Sequence, residues 1–157
     1  MDKIDAVLTE DQLNRLRGAY NREGMTQVLS TGMPSLHKTT TKFIHTIRKA
    51  FYDNTTAIAP KDRERCLIAV LSARDAGLNL AMHIYMGLLE GLTPHEIADV
   101  IFLGGIYTGV DRISDGLNAE FRTLTALSRA AGKAEPSVAT VLGELVATFR
   151  PPEPSPG

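Results

Sequence analysis

The sequence predicts an all-α fold of about six to seven helices. Three observations carry this. Apolar residues recur at three- and four-residue steps, as in Leu36, Phe43, Ile44, Ile47 and Phe51, and again in Ile113, Leu117, Phe121, Leu124 and Leu127. Helix-start signals are explicit at Thr9-Glu-Asp-Gln12 and Thr93-Pro-His-Glu96. Runs of alternating apolar and polar residues, which a half-buried strand needs, are few.

Taken in order, Thr9 and Gln12 form a capping box ahead of Leu13, Leu16 and Tyr20, with Gly24 as a stop. The link from Met25 to Pro34 has no clear period. A second helix spans about Ser35 to Asp53, its Lys38, Lys42, Arg48 and Lys49 on a solvated face, and Asn54-Thr-Thr56 reads as a loop. Pro60 opens a third helix, with Asp62 and Glu64 at its positive dipole end and Gly77 as a left-handed terminator. Leu67, Ile68, Val70 and Leu71 make that helix apolar nearly all round, so it should be central. A fourth helix, about Leu78 to Glu90, carries Leu80, His83, Ile84 and Leu88, and Gly91 closes it. Gly87, four residues past His83, invites close approach by a helix or a ligand. Thr93 caps a fifth helix whose buried face is Ile97, Val100, Ile101 and Ile106. Its Gly104-Gly105 pair implies close packing or a pocket wall. Gly109 ends it and Asp111 caps a long sixth helix that stops at Gly132. Val138, Val141, Leu142, Leu145 and Phe149 form the last helix. One domain over 1–149 and a disordered, proline-rich tail over 150–157 are expected.

Composition narrows the function. Seventeen basic and eighteen acidic side chains nearly cancel, so no strong field favours nucleic acid or an anionic membrane. Cys66 is the only cysteine, which excludes an internal disulfide, a Cys-x-x-Cys redox pair and a cysteine-rich zinc site. His37 and His45 are poorly spaced for a metal, and no metal site is expected. The chain shows no signal-peptide pattern and no spanning run, so a cytoplasmic location is the default. Generous apolar surface for a small unit points to a homo-oligomer.

Several of these motifs occur together in a known order: Lys61-Asp-Arg-Glu-Arg before an apolar helix, His83 in the next, Gly91-Leu-Thr-Pro-His-Glu-Ile97, then Tyr107-Thr-Gly109. In that order the chain, over roughly residues 35 to 125, resembles the carboxymuconolactone decarboxylase family and its alkylhydroperoxidase D-like relatives. The resemblance implies an all-helical fold of the alkylhydroperoxidase D-like type and assembly into trimers or hexamers. Peroxidase-type members carry two cysteines where this chain has Ala76 and Asn79, so thiol peroxidase activity is not expected. Decarboxylase-type members often have a glutamate at the place of Asn79, and an amide there cannot trade a proton. His83 and Glu64 are the matching ionisable positions.

Loss of carbon dioxide from a small carboxylated lactone or oxygenated ring acid needs an acid for carbon and a donor for the enolate oxygen, but no cofactor. An imidazole suits the first role, because its ordinary pKa is near neutrality. The catalytic candidates are therefore His83 as acid or base, Glu64 to orient it, and Asn79, one turn before His83, as an oxyanion donor. Arg65, Arg74 or Arg112 would bind the substrate carboxylate, with Tyr107 as a further substrate contact.

Each residue also has a plainer role. A histidine among Leu, Met and Ile is ordinarily a core residue with a backbone partner, and a first-turn glutamate is ordinarily exposed. Asn79 fits a helix-start cap, His95 a cap-region surface residue, and Tyr107 the core or a pocket wall. Two functions fit the chain: a decarboxylase-like enzyme in aromatic catabolism or biosynthesis, or a binding or assembly protein that kept the fold without the chemistry. Asn79 favours the second.

Overall fold

The structure, a computed structural model, describes residues 6–25, 46, 57–74 and 77–150. The helix expected over 35–53, the loop after it, His37, His45, Ala76 and the tail beyond residue 150 lie outside the described residues. Six helices lie wholly within the described residues, which contain no strand: α1 (Glu10–Ala19), α2 (Pro60–Arg74), α3 (Leu78–Leu89), α4 (Pro94–Thr108), α5 (Val110–Ala131) and α6 (Val138–Phe149). The architecture of the described residues is all-α, as expected. No described helix is long and apolar enough to cross a membrane.

Local chemistry sets the helix ends. Thr9 and Gln12 form a reciprocal capping box, and so do Thr93 and Glu96, with Pro94 opening α4. Ser137 caps α6 by accepting from the Thr140 amide. The C-terminus of α3 has no basic residue of its own, and Arg17 of α1 supplies one by donating to the Leu88 carbonyl at 3.3 Å. Gly91 (φ 87°) and Gly109 (φ 121°) adopt left-handed conformations that few side chains tolerate, which is why α3 and α4 end there.

Some expected boundaries differ. α1 ends at Ala19 rather than at Gly24, because Tyr20 turns extended and packs edge-on against Tyr85, ring centroids 6.4 Å apart. Gly77 does not close α2 in a left-handed conformation; with φ −92° it is the N-cap of α3. Asp111 does not cap α5, since Gly109 holds that place and Asp111 falls inside the first turn.

The core is built on α3 and α5. Leu80, Ala81, Ile84, Tyr85 and Leu88 of α3 meet Leu124, Leu127, Ala130 and Ala131 of α5, with Leu16 of α1 and Leu145 of α6 closing the sides. α4 lies against α2 on one side and α5 on the other. Glycines set that spacing. A Cβ on Gly105 would lie 2.1 Å from Ile113 Cγ1, and one on Gly104 would lie 3.4 Å from the Ala69 carbonyl oxygen, so the pair serves helix packing.

Two apolar readings need correction. α2 is not buried all round: Ile68 is enclosed, whereas Val70 is 55% and Ile106 of α4 54% exposed. The buried stripe of α2 is Glu64, Ile68 and Ser72 at four-residue steps, so an acid and a hydroxyl occupy places expected for aliphatics. On α5 the inward stripe is Gly116, Glu120, Thr123, Leu124 and Leu127, and Phe121 is half exposed.

Glu120 is fully enclosed, and neither carboxyl oxygen has a hydrogen-bond partner. Burial pushes its acid up from 4.5 to about 8. The neutral acid is therefore the folded form near neutral pH, while the unfolded chain ionises at about 4.5. Stability linked to Glu120 is complete below pH 4.5 and is lost as pH rises through 8. Denaturant titrations of wild type and Glu120→Gln should show the variant gaining over wild type across that window, by about 3 kcal/mol near pH 7. A stability difference that is flat with pH would show that Glu120 ionises alike in both states.

Candidate active site

The site begins with periodicity. Glu64 stands one turn before Ile68 on the inward stripe of α2, so its carboxylate is carried into the protein rather than left at the first-turn surface. His83 lies mid-way along α3, next to the buried Ile84 and one turn before Gly87. A Cβ on Gly87 would meet Leu92 Cδ1 at 2.7 Å and Ile68 Cδ1 at 3.2 Å. The close approach allowed by Gly87 is therefore filled by aliphatic side chains, and it presses α3 onto the Glu64–Ile68 segment.

Glu64 Oε2 and His83 Nδ1 are 2.8 Å apart. The glutamate side chain has no exposed surface, and the histidine side chain keeps 25%. An ionised carboxylate only accepts, so against an ionised Glu64 the shared proton belongs on Nδ1, with His83 as the donor. In that arrangement Nε2 is the ring nitrogen outside the contact with Glu64. The other glutamate oxygen, Oε1, accepts no hydrogen bond and faces Arg63 Nε at 3.8 Å. The structure thus brings together the two ionisable residues singled out in the sequence and adds Arg63 beside them.

The remaining candidates fall differently. Asn79 is exposed in the first turn of α3, one turn before His83; Gly77 is the cap, so the helix-cap reading of Asn79 does not hold. The Arg65 guanidinium is already engaged, at 2.5 Å from Asp62 and 2.6 Å from Glu96. Lys61 lies 3.2 Å from Glu96 as well. The Thr93 amide, then Lys61 and Arg65, hold the Glu96 carboxyl down to about 2. These contacts tie the start of α2 to the start of α4.

Arg74 is exposed at the far end of α2, with its Cα about 15 Å along the helix axis from that of Glu64 by helix rise. Tyr107 is 89% exposed, which corrects its reading as core or pocket wall, and Arg112 is exposed just past Gly109. Neither hydrogen-bonds to Glu64. His95 is a surface residue, as expected, and Cys66 is an exposed free thiol. Among the described residues no cluster of three or more His, Cys, Asp or Glu could hold a metal.

Sequence reasoning passed over Arg63 and Glu120. Adjacent helix residues point about 100° apart, so nothing in the spacing pairs Arg63 with Glu64. Glu120 was readable, because it stands three residues after Leu117 and four before Leu124.

The Glu64–His83 contact makes a stability test. His83→Leu strips the donor from an enclosed carboxylate and should cost about 2 kcal/mol. Glu64→Leu combined with His83→Leu should cost less than the two single losses added together. Strict additivity in urea unfolding would mean the contact carries no coupling.

Comparison with known proteins supplies the last observation. The model of the carboxymuconolactone decarboxylase family matches residues 38–119, just over half of the 157-residue chain, and its span includes Glu64, Asn79 and His83. Among curated proteins and among solved structures nothing matches.

Proposed function

The chain belongs to the carboxymuconolactone decarboxylase family, and from that premise we propose that it is a cofactor-independent, decarboxylase-like lyase acting on a small carboxylated lactone or oxygenated ring acid. Family membership alone extends to decarboxylase and peroxidase-like proteins. The thiol branch needs two cysteines, and this chain has one, exposed on α2. The observation that carries the proposal is the 2.8 Å contact between an enclosed carboxylate and a quarter-exposed imidazole.

In the proposed reaction the bond to the substrate carboxylate breaks and its electron pair flows into a conjugated carbonyl. Carbon dioxide leaves, and the enolate takes a proton at carbon. His83 delivers that proton from Nε2, while the Glu64 carboxylate on Nδ1 fixes the ring and favours the imidazolium that gives it up. The Asn79 amide, one turn earlier on α3, donates to the enolate oxygen. Arg65 is the basic candidate nearest the pair in sequence, and binding a substrate carboxylate would draw it away from Asp62 or Glu96.

We also assign the working form as a homotrimer or homohexamer. Phe102, Leu103, Ile106, Tyr107 and Val110 are all at least half exposed around the end of α4, a run of apolar surface that an isolated chain would leave in water. A second copy covering it would bury Tyr107 and enclose Arg112, which gives both a route to a neighbouring pocket.

Two measurements test this reading. A panel of carboxylated lactones and ring acids, followed by loss of the conjugated chromophore and carbon dioxide release, should contain a substrate. His83→Gln should lower its kcat by about 100-fold or more, and Glu64→Gln by a smaller factor. No turnover anywhere in the panel, or a His83→Gln enzyme of full activity, would remove the lyase assignment. Leu103→Glu with Tyr107→Glu should reduce the particle mass in sedimentation to that of one chain while the helical circular dichroism is kept. An unchanged mass would place the interface elsewhere.

A further inference from the structure

We propose that Arg63 is a positioning residue of this site: its guanidinium is the standing counter-charge of Glu64, keeping that carboxylate ionised and aimed at His83 Nδ1 whichever protonation state the imidazole is in. The inference rests on the reading of Glu64 and His83 given above and goes beyond it.

Glu64 has no exposed surface, and a carboxylate so enclosed is stable only when paired. His83 meets one of its oxygens, and only as a cation does it bring a charge. A proton-transfer cycle takes the imidazole through its neutral form, and at that stage Glu64 would stand alone or capture the proton itself. Arg63 removes that alternative. Its Nε lies 3.8 Å from the second oxygen, Oε1, and its side chain is 14% exposed, folded inward instead of extended to solvent. Guanidinium stays charged at any working pH, so it can serve in both halves of a cycle, as a histidine cannot. The 3.8 Å spacing is an ion-pair distance rather than a direct hydrogen bond.

Several other charged groups on the described helices have partners of their own. Arg17 of α1 pairs with Glu10 and the Leu88 carbonyl. Glu96 of α4 is held by Lys61 and Arg65. Glu144 of α6 is held by Arg129 and Lys133. Glu120 of α5 responds to burial alone. Among the described residues, Arg63 is the cation recorded within ion-pair distance of the Glu64 oxygen that His83 does not meet.

The experiment is an NMR titration of the His83 ring in the full chain, with the signal assigned by its loss in His83→Gln. A neighbouring cation disfavours an imidazolium. Arg63→Gln should therefore move the ring's pH midpoint upward by roughly half a unit or more. Arg63→Lys, which restores the charge, should stay closer to wild type than Arg63→Gln. Glu64→Gln should move the midpoint downward. Circular dichroism checks folding, and Arg63→Met, which keeps an apolar stem, replaces the glutamine variant if that one does not fold. If Glu64→Gln shifts the midpoint and the neutral Arg63 variant does not, Arg63 has no such role while the Glu64–His83 reading stands. A lysine variant indistinguishable from glutamine would equally overturn the role of charge. If Glu64→Gln shifts nothing, the pairing itself fails and the role of Arg63 fails with it.

Discussion

A carboxylate without solvent is the constraint around which this molecule is arranged. Glu64 gives up its hydration entirely, and among the described residues an imidazole lies 2.8 Å from one oxygen and a guanidinium nitrogen 3.8 Å from the other. Such a group tolerates little displacement, because its partners act over fractions of an ångström. The surrounding packing holds α2 and α3 where this geometry requires. Ile68 and Leu92 press into the space over Gly87, and the Lys61–Arg65–Glu96 contacts pin the start of α2 to the start of α4. Further along, Gly104 and Gly105 let α4 lie close to α2 and α5. The His83 side chain, held in that packing, keeps a quarter of its surface exposed.

The same chain tolerates a second enclosed acid without partners. Glu120 sits outside the family-matched span, on the long helix α5 that contacts every other described helix. The two glutamates show how surroundings divide one side-chain chemistry. Glu64 has an imidazole at 2.8 Å and a guanidinium nitrogen at 3.8 Å, whereas Glu120 lies where burial alone acts and remains a neutral acid near pH 7.

Much of the scaffold was legible in the sequence, because its signals are local. Thr9 with Gln12 and Thr93 with Glu96 form the capping boxes that their spacing predicts, and Gly91 and Gly109 end helices as glycines able to take positive φ should. The pairing of Glu64 with His83 became readable only through the family resemblance. Nothing local in a nineteen-residue separation states that two helices cross there. Exposure was the least legible property. Val70, Ile106 and Tyr107 are apolar or aromatic and read as interior, yet in a single chain they face outward. Hydropathy reports a preference for cover, and apolar side chains remain common on protein surfaces. Arg63 escaped because neighbouring residues on a helix diverge, and only a long stem folded back on its own turn defeats that rule.

The central claim is that His83 donates through Nδ1 to an ionised Glu64 and works through Nε2. The ring nitrogen chemical shifts of neutral His83, read by nitrogen-15 NMR on the intact protein, report this directly. The account predicts a protonated Nδ1 and a bare Nε2. A proton found on Nε2, with Nδ1 bare, would reverse donor and acceptor and contradict the account.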